Sequence, residues 1–483
     1  MKFRSTLKLL FLFIVLVSCE QKRKYWVYFD PEIELDSLAS DRLIYEEINK
    51  HQSYFSNWLN ASTVALSADE YKELSNAHFV SEIQPMLYFD AHQLPREWSR
   101  FDMSFALEQV GASHFREEGL TGKGVKVGVI DGGFLGANER SSLSHIFDGG
   151  RVVAYKDFVT PDLKEYGGSK GADDNHGTDV WEHIAGVKKD RNVQFGLAID
   201  SEYYLARTDD GRFENRREEE LLIRALEWMN EQNVHLVNIS LGYSTGFDDP
   251  RQNYKPNQIN GKSSALTRAA RVASEKKGML LVVSAGNDGD RPFKVLSVPA
   301  DAKGVVAVGS TSYKNWSKAS YSSIGPESLK YLKPNVVCFS YQGTSFSAPV
   351  ITGLAACMMQ ARPDLSNAQL QSVLEQSSHL YPYGNNYLGN GVPSCKKILS
   401  LLNSENLIEV KSMAKKLEAK RKETFAMSEE KGMAVVYHKS NERNVLFEEK
   451  IQFIDSTLTV KKLEAAKFST VTFSKFVREI EWK

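Results

Sequence analysis

One serine lies in the run Gly343-Thr344-Ser345-Phe346-Ser347-Ala348-Pro349, between a Gly-Thr turn and an apolar stretch through Ala356. This pattern predicts Ser345 on the first turn of a buried helix, whose positive end suits an attacking oxygen that yields an anion. The same position also suits a helix cap, with the hydroxyl accepting orphan amide hydrogens. The heptapeptide alone leaves both readings open. A nucleophilic serine needs a base, a group that orients the base, and a donor for the oxyanion.

Three further segments carry candidates for those roles. Val125 to Ile130 predicts a strand ending at Asp131, followed by Gly132-Gly133-Phe134. A carboxylate at the carboxyl end of a parallel strand stands where open α/β sheets place their sites, and a turn or cap aspartate is the alternative. His176, in Asn175-His176-Gly177-Thr178, follows the acidic loop Asp173-Asp174 and opens an apolar helix ending Ile184-Ala185-Gly186. Histidine both accepts and donates a proton near neutral pH, although a single histidine at a helix start is commonly structural, as His183 is read here. Asn287 follows the buried strand Val282-Val283-Ser284 through Ala285-Gly286, which can aim its amide into a cleft. One such donor contributes about 3 kcal/mol to a transition state. An asparagine in a Gly-rich turn is the plain alternative.

Asp131, His176, Asn287 and Ser345 follow one another in the order acid, base, amide donor, nucleophile, each at a strand end or a helix start. The segments VGVIDGG, NHGT with a following IAG, VNISLG, SAGNDG and GTSFSAP resemble the subtilisin-like serine proteases over about residues 103–402. The resemblance implies Ser345 as nucleophile, His176 as general base and then acid, and Asp131 as the group holding the imidazole. It implies Asn287 and the Ser345 amide as the oxyanion hole. Ser240-Leu241-Gly242 and Ser284-Ala285-Gly286 match the segments that flank the primary specificity pocket, the former also pairing with an extended polypeptide substrate. Pro349 lacks the amide that would bond back to the carbonyl of residue 345. Two departures stand out: Gly-Gly-Phe follows the aspartate, and Asp179 replaces an expected second histidine. The added charge of Asp179 should favour the imidazolium of His176.

The elements that position these residues alternate strand and helix through 103–402, the signature of a mostly parallel sheet covered by helices on both faces. Strands are expected at 125–130, 236–240, 279–284 and 305–308, with helices at 180–185, 218–232, 264–277 and 367–376. Residues 24–89 read as a compact α+β unit in β-α-β-α-β order: strand 25–29, helix 41–51, strand 58–66, helix 68–77, strand 79–88. This unit resembles the inhibitor-like propeptide of subtilisin-type proteases, which implies an intramolecular inhibitor removed on maturation. From about 403 a charged helical stretch, Glu409 to Lys422, is followed by strand signals at 434–437, 445–453, 457–460 and 469–473, a small β-rich extension. The expected division is 1–18 signal, 19–95 propeptide-like domain, 96–402 peptidase domain and 403–483 accessory region.

Lys2, Arg4 and Lys8 precede an apolar run, Leu9 to Val17, too short to span a membrane. It ends in Leu16-Val17-Ser18-Cys19, which resembles a bacterial lipobox and implies lipid on Cys19, export and membrane anchoring, with release of the protease on maturation. An ordinary signal peptide is the alternative. The remaining cysteines, Cys338, Cys357 and Cys395, are odd in number and lack metal-binding spacing, so buried apolar roles are expected. Lys plus Arg is 60 against 61 Asp plus Glu, so no overall field favours nucleic acid as a partner. The acidic clusters Asp173-Asp174 and Asp288 to Asp290 could hold calcium, although solvated loops suit them better. A dinucleotide-binding turn would need a glycine where Asp131 stands, facing a pyrophosphate. A non-catalytic binding protein on the same fold remains the other alternative.

Overall fold

The structure, a computed structural model, describes residues 23–30, 52–77, 79–85, 103–168, 174–188, 193–212, 215–247, 249–404, 407, 415–473 and 476–483. The chain divides into two compact units, Met1–Met86 and Leu87–Lys483.

In the first unit, strands Arg23–Phe29, Gln52–Ser56, Ala61–Leu66 and Val80–Pro85 form an antiparallel sheet. The central strand Arg23–Phe29 lies between Ala61–Leu66 and Val80–Pro85. The helix Ala68–Leu74 starts at a capping box, in which Ser67 and Glu70 satisfy each other's backbone amides. Val27, Val64, Leu66, Leu74 and Phe79 make its core. Of the strand expected over 58–66, residues 61–66 are strand, while residues 57–60 form the turn of a hairpin with Gln52–Ser56, Asn60 taking a left-handed φ of 47°. The helix expected at 41–51 lies outside the described residues.

The second unit is built on a seven-stranded parallel sheet in the spatial order Val336–Phe339, Val306–Thr311, Leu280–Ser284, Leu236–Ile239, Lys126–Asp131, Glu202–Arg207, Val152–Asp157. The four strands from 236 to 339 are wholly buried, as their largely apolar, Val-rich runs require when helices cover both faces. Val127 and Val129 pack with Val180, Ile351 and Leu354 on one face, while Gly128 faces Met229 of helix Arg217–Glu231 on the other. The chain leaves Lys126–Asp131 in one direction along the sheet for Val152–Asp157 and later returns on its other side to Leu236–Ile239. The strand ending at Asp131 therefore borders the switch point where open sheets form clefts. Cys338, Cys357 and Cys395 are buried free thiols.

The C-terminal region forms a five-stranded sheet in the order Lys415–Ala419, Phe476–Trp482, Phe468–Phe473, Gly432–Lys439, Val445–Phe453, with a separate hairpin-like pair, Lys422–Ala426 and Thr457–Lys461. The helix expected over 409–422 is corrected here for residues 415–422, residues 409–414 lying outside the described ones. Residues 415–419 pair in parallel with 478–482 and 422–426 pair with 457–461, so long-range strand partners override a local helical preference. Val435, Tyr437, Val445 and Val477 join the core of the parallel-sheet region.

Candidate active site

The strand Lys126–Asp131 delivers a fully buried carboxylate at its end. Asp131 Oδ1 stands 2.6 Å from His176 Nδ1 and accepts the Gly132 amide at 2.8 Å. Against a carboxylate the ring proton belongs on Nδ1, which leaves Nε2 as the acceptor. His176 opens the helix His176–Ala185 with its side chain 23% exposed, so a buried acid orients a base that reaches solvent.

Two glycines permit this approach. A Cβ on Gly177 would stand 2.6 Å from the Gly133 carbonyl oxygen and 2.8 Å from Asp131 Cβ, and one on Gly133 would collide with the Asp174 backbone. Gly133, the second of the two glycines after Asp131, thus has a steric cause. Arg207, at the end of the adjacent strand and 1% exposed, ties the same loops together. Its Nε donates to the Gly132 carbonyl at 2.9 Å, and its Nη atoms reach Asp157 at 3.0 Å and Asp174 at 3.3 Å. A basic residue closing the otherwise buried run Tyr203-Tyr204-Leu205-Ala206 was its sequence signal.

Ser345 lies in a 3-10 turn, Thr344–Phe346, and the long helix begins only at Ala348. This corrects its expected place on the helix's first turn. It also removes the capping alternative: Ser345 Oγ donates to the Ser240 carbonyl at 3.0 Å and caps no helix amide. Ser240 Oγ in turn donates to the Ser345 carbonyl at 2.8 Å, filling the acceptor that Pro349 leaves without an i+4 amide. The ring of Phe346 packs 5.6 Å from that of His176 and 5.0 Å from that of His183, so the serine turn lies against the histidine helix.

Asn287 follows the strand Leu280–Ser284 and is half-buried. Its Oδ1 accepts the Thr344 amide at 2.9 Å and the Thr344 hydroxyl at 3.1 Å. With its carbonyl oxygen fixed on the Thr344 amide, its Nδ2 lies beside Gly343, 3.4 Å from where a Cβ on that glycine would stand. Thr344 also exchanges bonds with Gly286, accepting its amide at 3.1 Å. Sequence reading gave Thr344 no role beyond a turn.

Ser240-Leu241-Gly242 and Ser284-Ala285-Gly286 extend two neighbouring strands past their ends. Leu241 is half-buried and Gly242 exposed, whereas Tyr243 exchanges backbone bonds of 3.0 Å with Val298. Between the two segments stands Ser297, whose Oγ occupies the space that a side chain on Gly242 or Gly286 would need. That hydroxyl is buried and makes no hydrogen bond among the described residues. Nothing local in Val295-Leu296-Ser297 marks it.

Asp179 binds Arg140 at 2.7 Å and the Asn175 amide at 3.0 Å, while its own carbonyl accepts from His183 Nδ1 at 2.8 Å. Burial raises the Asp179 carboxyl above its ordinary range, opposed by the Arg140 guanidinium. Its negative charge is therefore shared between Arg140 and His176 rather than directed at His176 alone. Of the acidic clusters, Asp173 lies outside the described residues, Asp174 binds Arg207, and Asp288 binds Ser244 at 2.6 Å and faces Arg291. No group of three metal-ligating side chains occurs among the described residues. Cys19 also lies outside them, and no described helix is long and apolar enough to cross a membrane.

A family model described as the subtilase family matches residues 122–394. Subtilisin NAT of Bacillus subtilis subsp. natto is 26% identical over 379 residues, covering 76% of this chain and 87% of that protein. The thermostable alkaline protease of Halalkalibacterium halodurans is 24% identical, covering 80% of this chain and 95% of its own. Among solved structures, the epidermin leader peptide processing serine protease of Staphylococcus aureus superposes with a TM-score of 0.57 at 17% identity, covering 79% of this chain and 99% of that one. At that identity the likeness speaks to the fold alone.

Proposed function

The chain belongs to the subtilase family, and we propose that it is an exported serine endopeptidase working through Asp131, His176 and Ser345. The observation that carries this reading is the 2.6 Å contact of buried Asp131 with His176 Nδ1, beside the turn that holds Ser345. An imidazole fixed in this tautomer keeps Nε2 free to take the serine proton.

Ser345 Oγ must first leave the Ser240 carbonyl, a rotation about χ1 that an arriving substrate strand induces by competing for that carbonyl. His176 then takes the hydroxyl proton as Oγ attacks the scissile carbonyl. Asp131 stabilises the imidazolium without taking the proton itself. The oxyanion receives hydrogen bonds from Asn287 Nδ2 and the Ser345 amide. His176 returns the proton to the leaving amine, and water repeats the sequence to hydrolyse the acyl-enzyme. Ser240–Gly242 and Ser284–Gly286 flank the pocket for the side chain before the scissile bond, with Ser297 between them. Labelling by a fluorophosphonate, abolished by Ser345→Ala, is the expected outcome. Labelling that survives the substitution would overturn the assignment.

The same reading places lipid on Cys19 and the first unit as an intramolecular inhibitor of the protease. Cleavage between residues 95 and 118 would leave the lipid on a fragment much smaller than the full chain, and would release the enzyme. A lipid label found only on a full-length active species would refute this order of events.

A further inference from the structure

The C-terminal sheet is joined to one loop of the catalytic region, residues 318–325, at both of its ends. At the start, Lys318 Nζ donates to three carbonyls of its own loop, those of Ala319 and Ser320 at 2.9 Å each and of Ser322 at 3.1 Å. The Glu448 carboxylate, on the C-terminal strand Val445–Phe453, acts on the Lys318 ammonium by its charge. The same ammonium lies 5.8 Å from the centre of the Tyr387 ring, which itself meets Tyr437 edge-on. At the far end, Asn386 exchanges bonds with Gly325, donating from its side chain at 3.0 Å and accepting the Gly325 amide at 2.8 Å. Asn386 also binds the Arg443 carbonyl and the Val445 amide, each at 2.9 Å.

The middle of this loop clasps the residues on either side of Asn287. The Ser323 amide donates to the Gly286 carbonyl at 3.1 Å, Ser323 Oγ accepts the Asp288 amide at 3.0 Å, and the Tyr321 carbonyl accepts the Gly289 amide at 2.8 Å. The Tyr321 hydroxyl reaches the Ser340 carbonyl at 2.7 Å, and Ser340 Oγ donates to the Gly343 carbonyl at 2.8 Å. One loop thus holds both the asparagine turn and the approach to Ser345. Three carbonyls converging on one ammonium repel one another once it is removed.

We propose that the C-terminal sheet is a brace for the oxyanion donor, and that Lys318 is the positioning residue through which it acts. The inference rests on the reading of Asn287 as that donor. A donor must be held to within a fraction of an ångström to favour the transition state over the bound substrate. Loosening the loop should therefore lower kcat and leave KM nearly unchanged.

The test uses the full chain, with rates normalised to sites titrated by a fluorophosphonate. Lys318→Met should lower kcat about tenfold at nearly constant KM, a fraction of the ~100- to 1,000-fold loss expected on deleting the donor. Lys318→Arg should restore most of the rate. Glu448→Gln, on a half-buried side chain, should give a smaller loss and provides a second reading if the lysine variant folds poorly. In an Asn287→Ala background Lys318→Met should add almost nothing, because the two residues act in series. Unchanged kcat per titrated site in both Lys318→Met and Glu448→Gln, with Asn287→Ala impaired, would overturn the brace alone. An unimpaired Asn287→Ala enzyme would overturn the donor assignment and the brace with it.

Discussion

Ser240 and Ser345 exchange hydrogen bonds: each hydroxyl donates to the other's carbonyl, at 2.8 and 3.0 Å. The candidate nucleophile is thereby tied to the strand end expected to bind substrate. Ser240→Ala leaves the Ser345 carbonyl without its donor, since Pro349 offers none. In an inactive Ser345→Ala background, denaturant unfolding should show a loss of about 1–3 kcal/mol. No measurable loss would mean that water replaces the bond.

Asp131→Asn keeps the size of the side chain but offers an amide where His176 Nδ1 needs an acceptor. The wrong tautomer would then be favoured, and kcat should fall about 10,000-fold while fluorophosphonate-independent folding measures stay close to wild type. Steady-state kinetics against circular dichroism on the same preparation check this. A loss below about tenfold would show that Asp131 does not set the tautomer.

Thr344→Val retains the backbone bond to Asn287 Oδ1 and deletes the hydroxyl's contacts with Asn287 and Gly286. The expected result is a kcat about tenfold lower at unchanged KM, smaller than the effect of removing Asn287 itself. A change confined to KM would place Thr344 with substrate binding instead.

The Asp179 carboxylate attracts the His176 imidazolium while Arg140 offsets it. Asp179→Asn removes an attraction for the cation, so the basic form of His176 emerges at lower pH and the acid limb of the kcat/KM profile moves down. Arg140→Gln removes the offset and should move that limb up. Profiles that do not move in opposite directions would exclude this coupling.

His379 is half-buried, and its imidazole is pushed down to about 3 from 6.5, first by loss of solvent around the ring and next by the charge of Lys397. A base with a depressed folded-state value is held neutral by the fold. The stability it contributes is complete above pH 6.5 and is lost as pH falls from there towards about 3. Its Nδ1 accepts the Val392 amide at 2.8 Å, a bond that an asparagine oxygen can also accept. His379→Asn, again with Ser345→Ala, should shift acid unfolding to lower pH, and an unmoved acid midpoint would assign that transition to other groups.

Much of this arrangement was legible from local signals. Val127 to Asp131 and Leu280 to Asn287 each pair a buried run with a polar residue at its end, and the helix opening at His176 carries its polar residue at its start. That ending is what places a side chain in the cleft of a parallel sheet. The helices near 218–232, 264–277 and 367–376 were legible for the same reason, because their apolar spacing, and the serine caps of the latter two, are encoded within a dozen residues.

Which side chains can do chemistry, and the order in which strands and helices present them, follow from hydrophobic period and turn chemistry, which are short-range properties of the chain. How those groups are held was left to tertiary packing. It placed Ser345 before its helix with its carbonyl on Ser240, set Arg207 across the Asp131 and His176 loops, stood Ser297 between two glycine-containing segments, and brought Lys318 to the Tyr387 ring that meets Tyr437 of the C-terminal sheet. It also made strands of 415–419 and 422–426, where local preference favoured helix. Each of these depends on partners far away in the chain, and the free energy of such contacts exists only once the chain has folded.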